Sequence, residues 1–105
     1  MPKSKPTSRG ESAKPLELVW TANAKEDFAH WQRHDPRIAK KIDELVANAL
    51  KHPFTGLGKP EPLKHELAGY WSRRISGEHR LTYRVEAGVL YIGKCRFHYT
   101  AKKKK

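Results

Sequence analysis

The chain has 105 residues, with 22 lysines and arginines against 11 acidic side chains, for a formal net charge of +11. This length suits one domain with a modest core, and no apolar run reaches the length of a transmembrane helix. The N-terminus lacks the apolar stretch of a secretory signal. Cys95 is the only cysteine, so an internal disulfide is excluded, which fits a reducing cytosol and predicts a cytoplasmic protein.

The positive charge is uneven along the chain. Residues 1–14 carry +3 and residues 102–105 carry +4, whereas residues 15–58 are neutral overall and residues 59–98 carry +4. Such a charge favours a polyanion such as RNA, DNA or the ribosome, or an acidic protein partner. On charge alone, a soluble basic domain without such a partner stays open.

The chain begins and ends with segments that cannot build a core. Residues 1–14 are rich in Lys, Ser and Pro, and they are predicted to form a disordered basic leader. The same reasoning predicts a disordered lysine tail over residues 100–105. The folded domain is therefore expected over residues 15–99.

A short strand and two helices are predicted after the leader. The alternating LELVW at residues 16–20 indicates a strand, and Thr21 is suited to cap a helix over residues 22–34. Asp35-Pro36 is a second start signal, with Asp as N-cap and Pro at the first helical position. Apolar residues then recur at steps of three and four until His52-Pro53 ends the second helix.

Four more strands are predicted after a loop rich in proline and glycine at residues 53–62. Their predicted ranges are residues 63–67, 70–75, 79–86 and 89–99. The gaps between the last three strands have hairpin length and contain glycine, which indicates an antiparallel sheet. With two helices packed on one face of a twisted antiparallel sheet, the fold class is α+β.

Strand alternation predicts that two arginines meet on one face of the sheet. A three-residue loop at residues 76–78 pairs Arg74 with Arg80 and keeps the apolar residues of both strands together. A two-residue loop instead pairs Arg74 with Leu81 and mixes the faces, so hydrophobic register favours the longer loop. Neighbouring arginines are unfavourable unless an anion lies between them.

The last strand is predicted to extend this basic face. If Cys95 and Phe97 face the core, then Lys94, Arg96 and His98 face outward. The predicted surface is concave and lined by Arg74, Arg80, Arg96 and His98. A solvated basic face without a ligand is the alternative on strand parity alone.

These residue types suit RNA cleavage without a metal. His98 has a reference pKa of about 6.5, which suits a general acid, and the guanidinium groups of Arg74 and Arg80 match phosphate oxygens. Glu61 is a candidate base, although its reference pKa of about 4.3 is low for that role. Tyr99, or alternatively Tyr70 or Phe97, is suited to stack on a nucleobase.

Other site classes are not supported by the sequence. The six histidines are scattered, and the pair His30 and His34 has no Glu or Cys that completes a metal site. Cys95 is expected to be a small core residue rather than a nucleophile. GLGKP lacks the helix and the Ser/Thr of a phosphate loop, so neither a metal nor a cofactor is expected.

The stretch GKPEPLKHELAGYWSRRISGEHRLTYRV at residues 58–85, followed by CRFHY at residues 95–99, resembles the YoeB toxins of the wider RelE-type toxin–antitoxin family. The resemblance covers residues 16–99. It implies a microbial-ribonuclease-like fold and a ribosome-dependent endoribonuclease, or mRNA interferase, that cuts mRNA in the ribosomal A site and inhibits translation. It also implies a YefM-type antitoxin as partner, and a homodimer, because YoeB-type toxins are known as dimers.

The resemblance also implies which residues act. By motif position, the catalytic residues fall on Glu61, Arg80, His98 and Tyr99, and supporting basic residues fall on Lys64 and Arg74. Arg96 is predicted to bind phosphate from strand parity alone. Two alternative functions remain open: a basic RNA- or ribosome-binding module that does not cut, and a ribonuclease that needs no ribosome.

Overall fold

The computed structural model describes residues 15–97. Within this range the elements are β1 (Glu17–Trp20), α1 (Ala22–His34), α2 (Pro36–Lys51), β2 (Glu61–Pro62), a 3-10 turn (His65–Leu67), β3 (Tyr70–Ser76), β4 (His79–Glu86) and β5 (Val89–Lys94). The predicted leader, His98, Tyr99 and the predicted lysine tail lie outside the described residues. None of the described helices is long and apolar enough to cross a membrane.

Both helices lie where the sequence predicts them. The Thr21 hydroxyl accepts a hydrogen bond from the Ala24 N–H at 3.2 Å, which caps α1, and Pro36 occupies the first turn of α2 after the N-cap residue Asp35. The apolar stripe of α2 is buried, through Ala39, Ile42, Leu45, Val46 and Ala49.

The five strands form one mixed sheet in the order β1-β5-β4-β3-β2. The pairs from β5 to β2 are antiparallel, as predicted, but β1 runs parallel to β5. The two helices between β1 and the rest of the sheet provide a connection long enough for this parallel pairing, which a hairpin cannot provide.

The helices cover one face of this sheet, the inner face. Large apolar side chains from β3, β4 and β5 meet the stripe of α2 there, including Ile75, Leu81, Tyr83, Leu90 and Ile92. The helices do not cover the other face, the outer face. Strand alternation places charged residues of β3 and β4 on this face. The α+β prediction is therefore confirmed.

The predicted strand at residues 63–67 is wrong. Glu61 and Pro62 pair with β3, and the Leu63 N–H donates to the Tyr70 carbonyl at 2.8 Å, but a 3-10 turn then follows at His65–Leu67. His65 has a φ of 59°, so its backbone is not extended.

The predicted strand at residues 89–99 is too long, because β5 ends at Lys94. The N–H of Cys95 donates to the Asp27 carboxylate at 3.0 Å, and the carbonyl of Cys95 accepts from the Trp31 indole at 2.9 Å. These bonds turn the chain toward α1. As a result Cys95 is buried as predicted, but Phe97 is 42% exposed and does not face the core.

The β3–β4 hairpin pairs Arg74 with Arg80, as predicted, through a different turn. Ser76 pairs with His79, so the connection has two residues rather than three, and the register shifts between Arg74 and Ser76. This irregularity inserts one extra residue into β3. Ile75 therefore stays buried while the arginine pair stays on the outer face.

Candidate active site

A cleft of about 590 Å³ lies on the outer face of the sheet. Its walls come from β2 and the 3-10 turn on one side, the β3–β4 turn at one end, and the chain that leaves β5 on the other side. The lining residues are Glu61, Leu63, Leu67, Ser72, Gly77, Glu78, Arg80, Thr82, Lys94, Arg96 and Phe97.

Strand register explains why the polar members meet. Glu61 lies opposite Ser72, Ser72 opposite Thr82, and Thr82 opposite Lys94, which makes one row across four strands. The hydroxyl residues in the middle are buried, and the carboxylate and ammonium at the two ends are exposed. The row therefore has two hydroxyl side chains in the middle, a carboxylate at one end and an ammonium group at the other.

Arg80 stands in the neighbouring row of the same face. It is half-buried, and it precedes Thr82 by two residues in β4, so both side chains point to the outer face. Its cross-strand partner Arg74 is exposed. Because like charges directly opposite each other are unfavourable, this pair gains stability when an anion such as a phosphate binds beside it.

Arg96 borders both this cleft and a smaller one on α1. The smaller cleft is also lined by His30 and Arg33. Burial, followed by the nearby Arg96 guanidinium, lowers the pKa of His30. Arg96 therefore lies between the outer-face cleft and a cluster of basic side chains on α1.

Another arginine of the outer face, Arg84, is engaged elsewhere. Its guanidinium forms an ion pair with Glu86 and lies 4.2 Å from the centre of the Tyr91 ring. The hydrogen bond to Glu86 raises the pKa of Arg84. On this face the charge of Arg84 is therefore neutralised by Glu86. The arginine pair, Arg74 and Arg80, lies elsewhere on the same face.

The structure brings together some of the predicted site residues. Glu61, Arg80 and Arg96 line the cleft. Arg74 shares the face but lies outside the lining, and Lys64 is exposed in the segment after β2, also outside it. Phe97 lines the cleft, whereas Tyr70 lies opposite Arg84. His98 and Tyr99 lie outside the described residues.

Sequence reasoning predicted no role for part of this cleft. Strand parity places Ser72 and Thr82 on the face of Arg74 and Arg80, but neither residue was assigned to the site. Lys94 was placed on the outward parity of β5 but was not assigned a role. It closes the basic end of the row.

It also missed Arg73, which has the parity of the core residues Trp71 and Ile75. Arg73 is fully buried. Its Nε donates to the Tyr83 hydroxyl at 2.9 Å, and one terminal nitrogen donates to Asn48 Oδ1 at 2.7 Å and to the Leu57 carbonyl at 2.9 Å. The other donates to the carbonyls of His52 at 2.5 Å and Thr55 at 2.9 Å.

This arginine fixes the loop that leads to Glu61. The Tyr83 hydroxyl, which Arg73 contacts, donates in turn to the Pro53 carbonyl at 2.6 Å. Burial raises the pKa of Tyr83, and the hydrogen bond from Arg73 opposes that rise. Gly58, at φ 78°, has no room for a side chain because a Cβ there would lie 2.9 Å from Leu45 and 3.0 Å from Arg73.

Cys95 is not suited to nucleophilic chemistry. Its thiol is fully buried, and burial together with the Asp27 carboxylate raises its pKa to about 12. Thiolate is the nucleophilic form of cysteine. Among residues 15–97, no group of three or more His, Cys, Asp or Glu side chains is placed to hold a metal ion.

The chain is similar to known bacterial toxins over most of its length. The family described as "YoeB-like toxin of bacterial type II toxin-antitoxin system" matches residues 20–99. Toxin YoeB of Escherichia coli K12 is 51% identical over 84 residues, which are 80% of this chain and 100% of that protein.

Solved structures give the same result. A YoeB/ParE toxin from Agrobacterium tumefaciens matches with a TM-score of 0.75 and 52% identity, covering 80% of this chain and 100% of that one. Two Staphylococcus aureus structures match at 41% identity and a TM-score of 0.74: a heterotetrameric YoeB–YefM toxin–antitoxin complex (80% and 98% covered) and a YoeB dimer (81% and 99%). The chain therefore belongs to the YoeB-like toxin family of bacterial type II toxin–antitoxin systems.

Proposed function

We propose that this toxin is a ribosome-dependent endoribonuclease that cuts mRNA in the A site and thereby inhibits translation. The observation that supports this most directly is the outer-face cleft, where the Glu61 carboxylate and the Arg80 guanidinium line one cavity. RNA cleavage by internal attack uses an acid–base pair and cations that stabilise the charged phosphorane. The cleft offers the carboxylate and the cations on one rigid sheet.

In the proposed reaction the 2′-oxygen attacks the adjacent phosphorus and the bond to the 5′-oxygen breaks. The products are a 2′,3′-cyclic phosphate, or its opened 3′-phosphate, and a 5′-hydroxyl. Glu61 takes the 2′-hydroxyl proton or orients that hydroxyl, and His98 protonates the leaving 5′-oxygen. The proposed chemistry uses side chains alone, without a metal ion or cofactor.

Cations and an aromatic ring complete the proposed site. Arg80 and Arg74 stabilise the phosphorane, because guanidinium groups bind phosphate oxygens in a bidentate manner. Lys64 and Arg96 hold flanking phosphates, and Tyr99 positions the nucleotide by stacking. The arginine pair supports this assignment, since its mutual repulsion falls when a phosphate binds.

We also propose the partners. One Staphylococcus aureus structure is a YoeB–YefM complex, and another is a YoeB dimer. By analogy, this chain binds a YefM-type antitoxin and forms a homodimer, and its substrate complex is mRNA on the ribosome. This activity takes place in the cytoplasm, where translation occurs.

Primer extension on a defined message tests the function, with the same RNA offered naked and on translating ribosomes. Discrete cuts that require ribosomes support the proposal. Cuts on both forms would identify a ribosome-independent ribonuclease, and arrest without cuts would identify a binding module. A message with one 2′-deoxynucleotide on the 5′ side of the cut tests the chemistry, because it should resist cleavage at that site.

A further inference from the structure

The backbone of the segment that leaves β5 is held by three hydrogen bonds to side chains. Asp27 and Trp31 on α1 bind the N–H and the carbonyl of Cys95, at 3.0 and 2.9 Å. The third bond comes from the first residue of β4, where His79 Nδ1 accepts from the Phe97 N–H at 2.9 Å. All three bonds hold the backbone of residues 95–97, which directly precede His98 in the sequence.

The His79 ring is itself held in place. It packs edge-on against the Trp31 indole, with centroids 4.7 Å apart and planes at 81°. The same indole donates to the Cys95 carbonyl. Because Nδ1 acts as an acceptor, the ring has no proton on that nitrogen in this arrangement.

The bond between His79 and Phe97 joins two parts of the proposed active site. His79 immediately precedes Arg80, and Phe97 immediately precedes His98. His79 lies outside the lining of the outer-face cleft and instead lines a neighbouring groove with Trp31 and Phe97. It is therefore placed to orient reacting groups without touching the substrate.

We propose that His79 is a positioning residue for RNA cleavage: by accepting the Phe97 N–H, it fixes the backbone immediately before His98, the proposed general acid. This inference rests on the proposed function. A misplacement of about 1 Å in a reacting group is enough to cost on the order of 100-fold in rate. Loss of the acceptor should therefore slow the chemical step and leave binding to ribosomes almost unchanged.

Two substitutions at one position separate this role from packing. The amide oxygen of asparagine is bonded to Cγ, as Nδ1 is in histidine. His79→Asn therefore retains an acceptor at the same position. His79→Leu retains apolar contact with Trp31 and removes the acceptor. We expect His79→Leu to lower the single-turnover rate on saturating ribosome-bound message by about 10- to 100-fold, and His79→Asn to stay within about 3-fold of wild type.

Hydrogen exchange at the Phe97 amide provides a second measurement, because that proton should be protected in wild type and His79→Asn and should exchange freely in His79→Leu. The half-saturating ribosome concentration should change by less than about 2-fold in both variants. Wild-type rates in His79→Leu would overturn the proposal. So would a slow His79→Asn whose Phe97 amide is still protected.

A backbone variant keeps the test independent of how His79→Leu folds. Cys95 permits chemical ligation of residues 1–94 to a synthetic peptide of residues 95–105, in which an ester replaces the Phe97 amide. The ester lacks only the N–H, and the same ligation with a normal amide is its control. The ester protein should be slow and the amide protein normal; equal rates would overturn the proposal.

The failure of this inference is distinguishable from the failure of the proposed function. If the wild-type protein does not cut ribosome-bound message, both are wrong. If the wild type cuts, Arg80→Ala does not, and His79→Leu cuts at the wild-type rate, only the positioning role of His79 is wrong.

Discussion

Arg73 and Arg74 are neighbours in β3, yet their side chains lie on opposite faces of the sheet and differ in burial. The Arg73 guanidinium is buried on the inner face and donates five hydrogen bonds, mostly to the loop between α2 and β2. Arg74 is exposed on the outer face, opposite Arg80. Strand alternation thus separates a cation that stabilises the scaffold from one that is available to a phosphate.

The difference shows how the sheet supports its cleft. On the inner face, Arg73 ties the loop at residues 52–58 to β3 and β4, and this loop leads to Glu61. On the outer face, Glu61 then lies in a row with Ser72, Thr82 and Lys94. The inner arginine therefore holds the loop, and the outer arginines are the residues proposed to bind substrate phosphate.

The largest effect on stability is expected from Arg73→Met. It removes the Arg73 donor from three carbonyls, the Asn48 amide oxygen and the Tyr83 hydroxyl, which should lower the free energy of unfolding by about 3–5 kcal/mol. Urea denaturation measures this change. Arg73→Lys is the control for charge, and it should recover less than half of the loss because an ammonium cannot replace the planar fork. A loss below about 1 kcal/mol in Arg73→Met would contradict this role.

A smaller loss is expected from Asn48→Ala. The Asn48 side-chain oxygen accepts from Arg73 at 2.7 Å and from the Leu57 N–H at 3.1 Å. Its removal should lower the free energy of unfolding by about 1–3 kcal/mol and loosen the loop toward proteolysis. The control is Asn23→Ala, at an exposed position of α1. Equal stability of the two variants would show that the loop is not held through Asn48.

Alkaline pH should weaken the fold through Cys95. Burial, together with Asp27, raises the pKa of its thiol from 9.0 to about 12. Below pH 9 the thiol is protonated in both the folded and the unfolded chain, so its contribution to stability is complete. Between pH 9 and pH 12 only the unfolded chain releases this proton, so that contribution is lost as pH rises. The free energy of unfolding should fall by up to about 1.4 kcal/mol per pH unit from this group.

The measurement for Cys95 is the slope of unfolding free energy between pH 9 and pH 11, compared with Cys95→Ala. The variant should be less stable at neutral pH, because it leaves a cavity, but its alkaline slope should be shallower. Parallel slopes in the two proteins would indicate that the thiol ionises equally in both states.

The smallest effect on stability is expected from Arg74→Ala. The side chain is exposed, so the free energy of unfolding should change by less than about 0.5 kcal/mol, with a small gain from relief of the repulsion by Arg80. The salt dependence of binding to ribosome-bound message should instead weaken, by about 0.7–0.9 in the logarithmic slope for one phosphate contact. An unchanged slope would exclude Arg74 from phosphate binding.

Local signals in the sequence predicted much of the fold. Thr21 and Asp35-Pro36 mark the helix starts, and the pairing of Arg74 with Arg80 follows from the apolar register. The parallel pairing of β1 could not be predicted from local signals, because its partner β5 lies at the other end of the folded domain. The end of β5 at Lys94 could not be predicted either, because it depends on long-range bonds from Asp27 and Trp31 to Cys95.

The site was predictable to a different degree. Strand parity alone placed Arg74 and Arg80 on one face. The same parity puts Arg73 on the core face, although its burial was not predicted. Residue chemistry indicated Glu61 as a candidate base, and the motif resemblance implied the same role. The structure places Glu61 in the same cleft as Lys94. The proposed role of His79 could be inferred only from the three-dimensional structure. Its bond to Phe97 joins residues 18 positions apart, at a bend that no sequence pattern marks.

If the outer face carries out the cleavage, Arg80→Ala should lose activity without losing its fold. The measurement is the single-turnover rate on saturating ribosome-bound message, with Arg37→Ala on the exposed surface of α2 as matched control and unfolding free energies for both. We expect a loss of at least about 100-fold for Arg80→Ala, with the fold retained, and a normal rate for Arg37→Ala. The same assay should show a comparable loss for His98→Ala. Full cleavage by a folded Arg80→Ala would show that the outer face does not carry out the reaction.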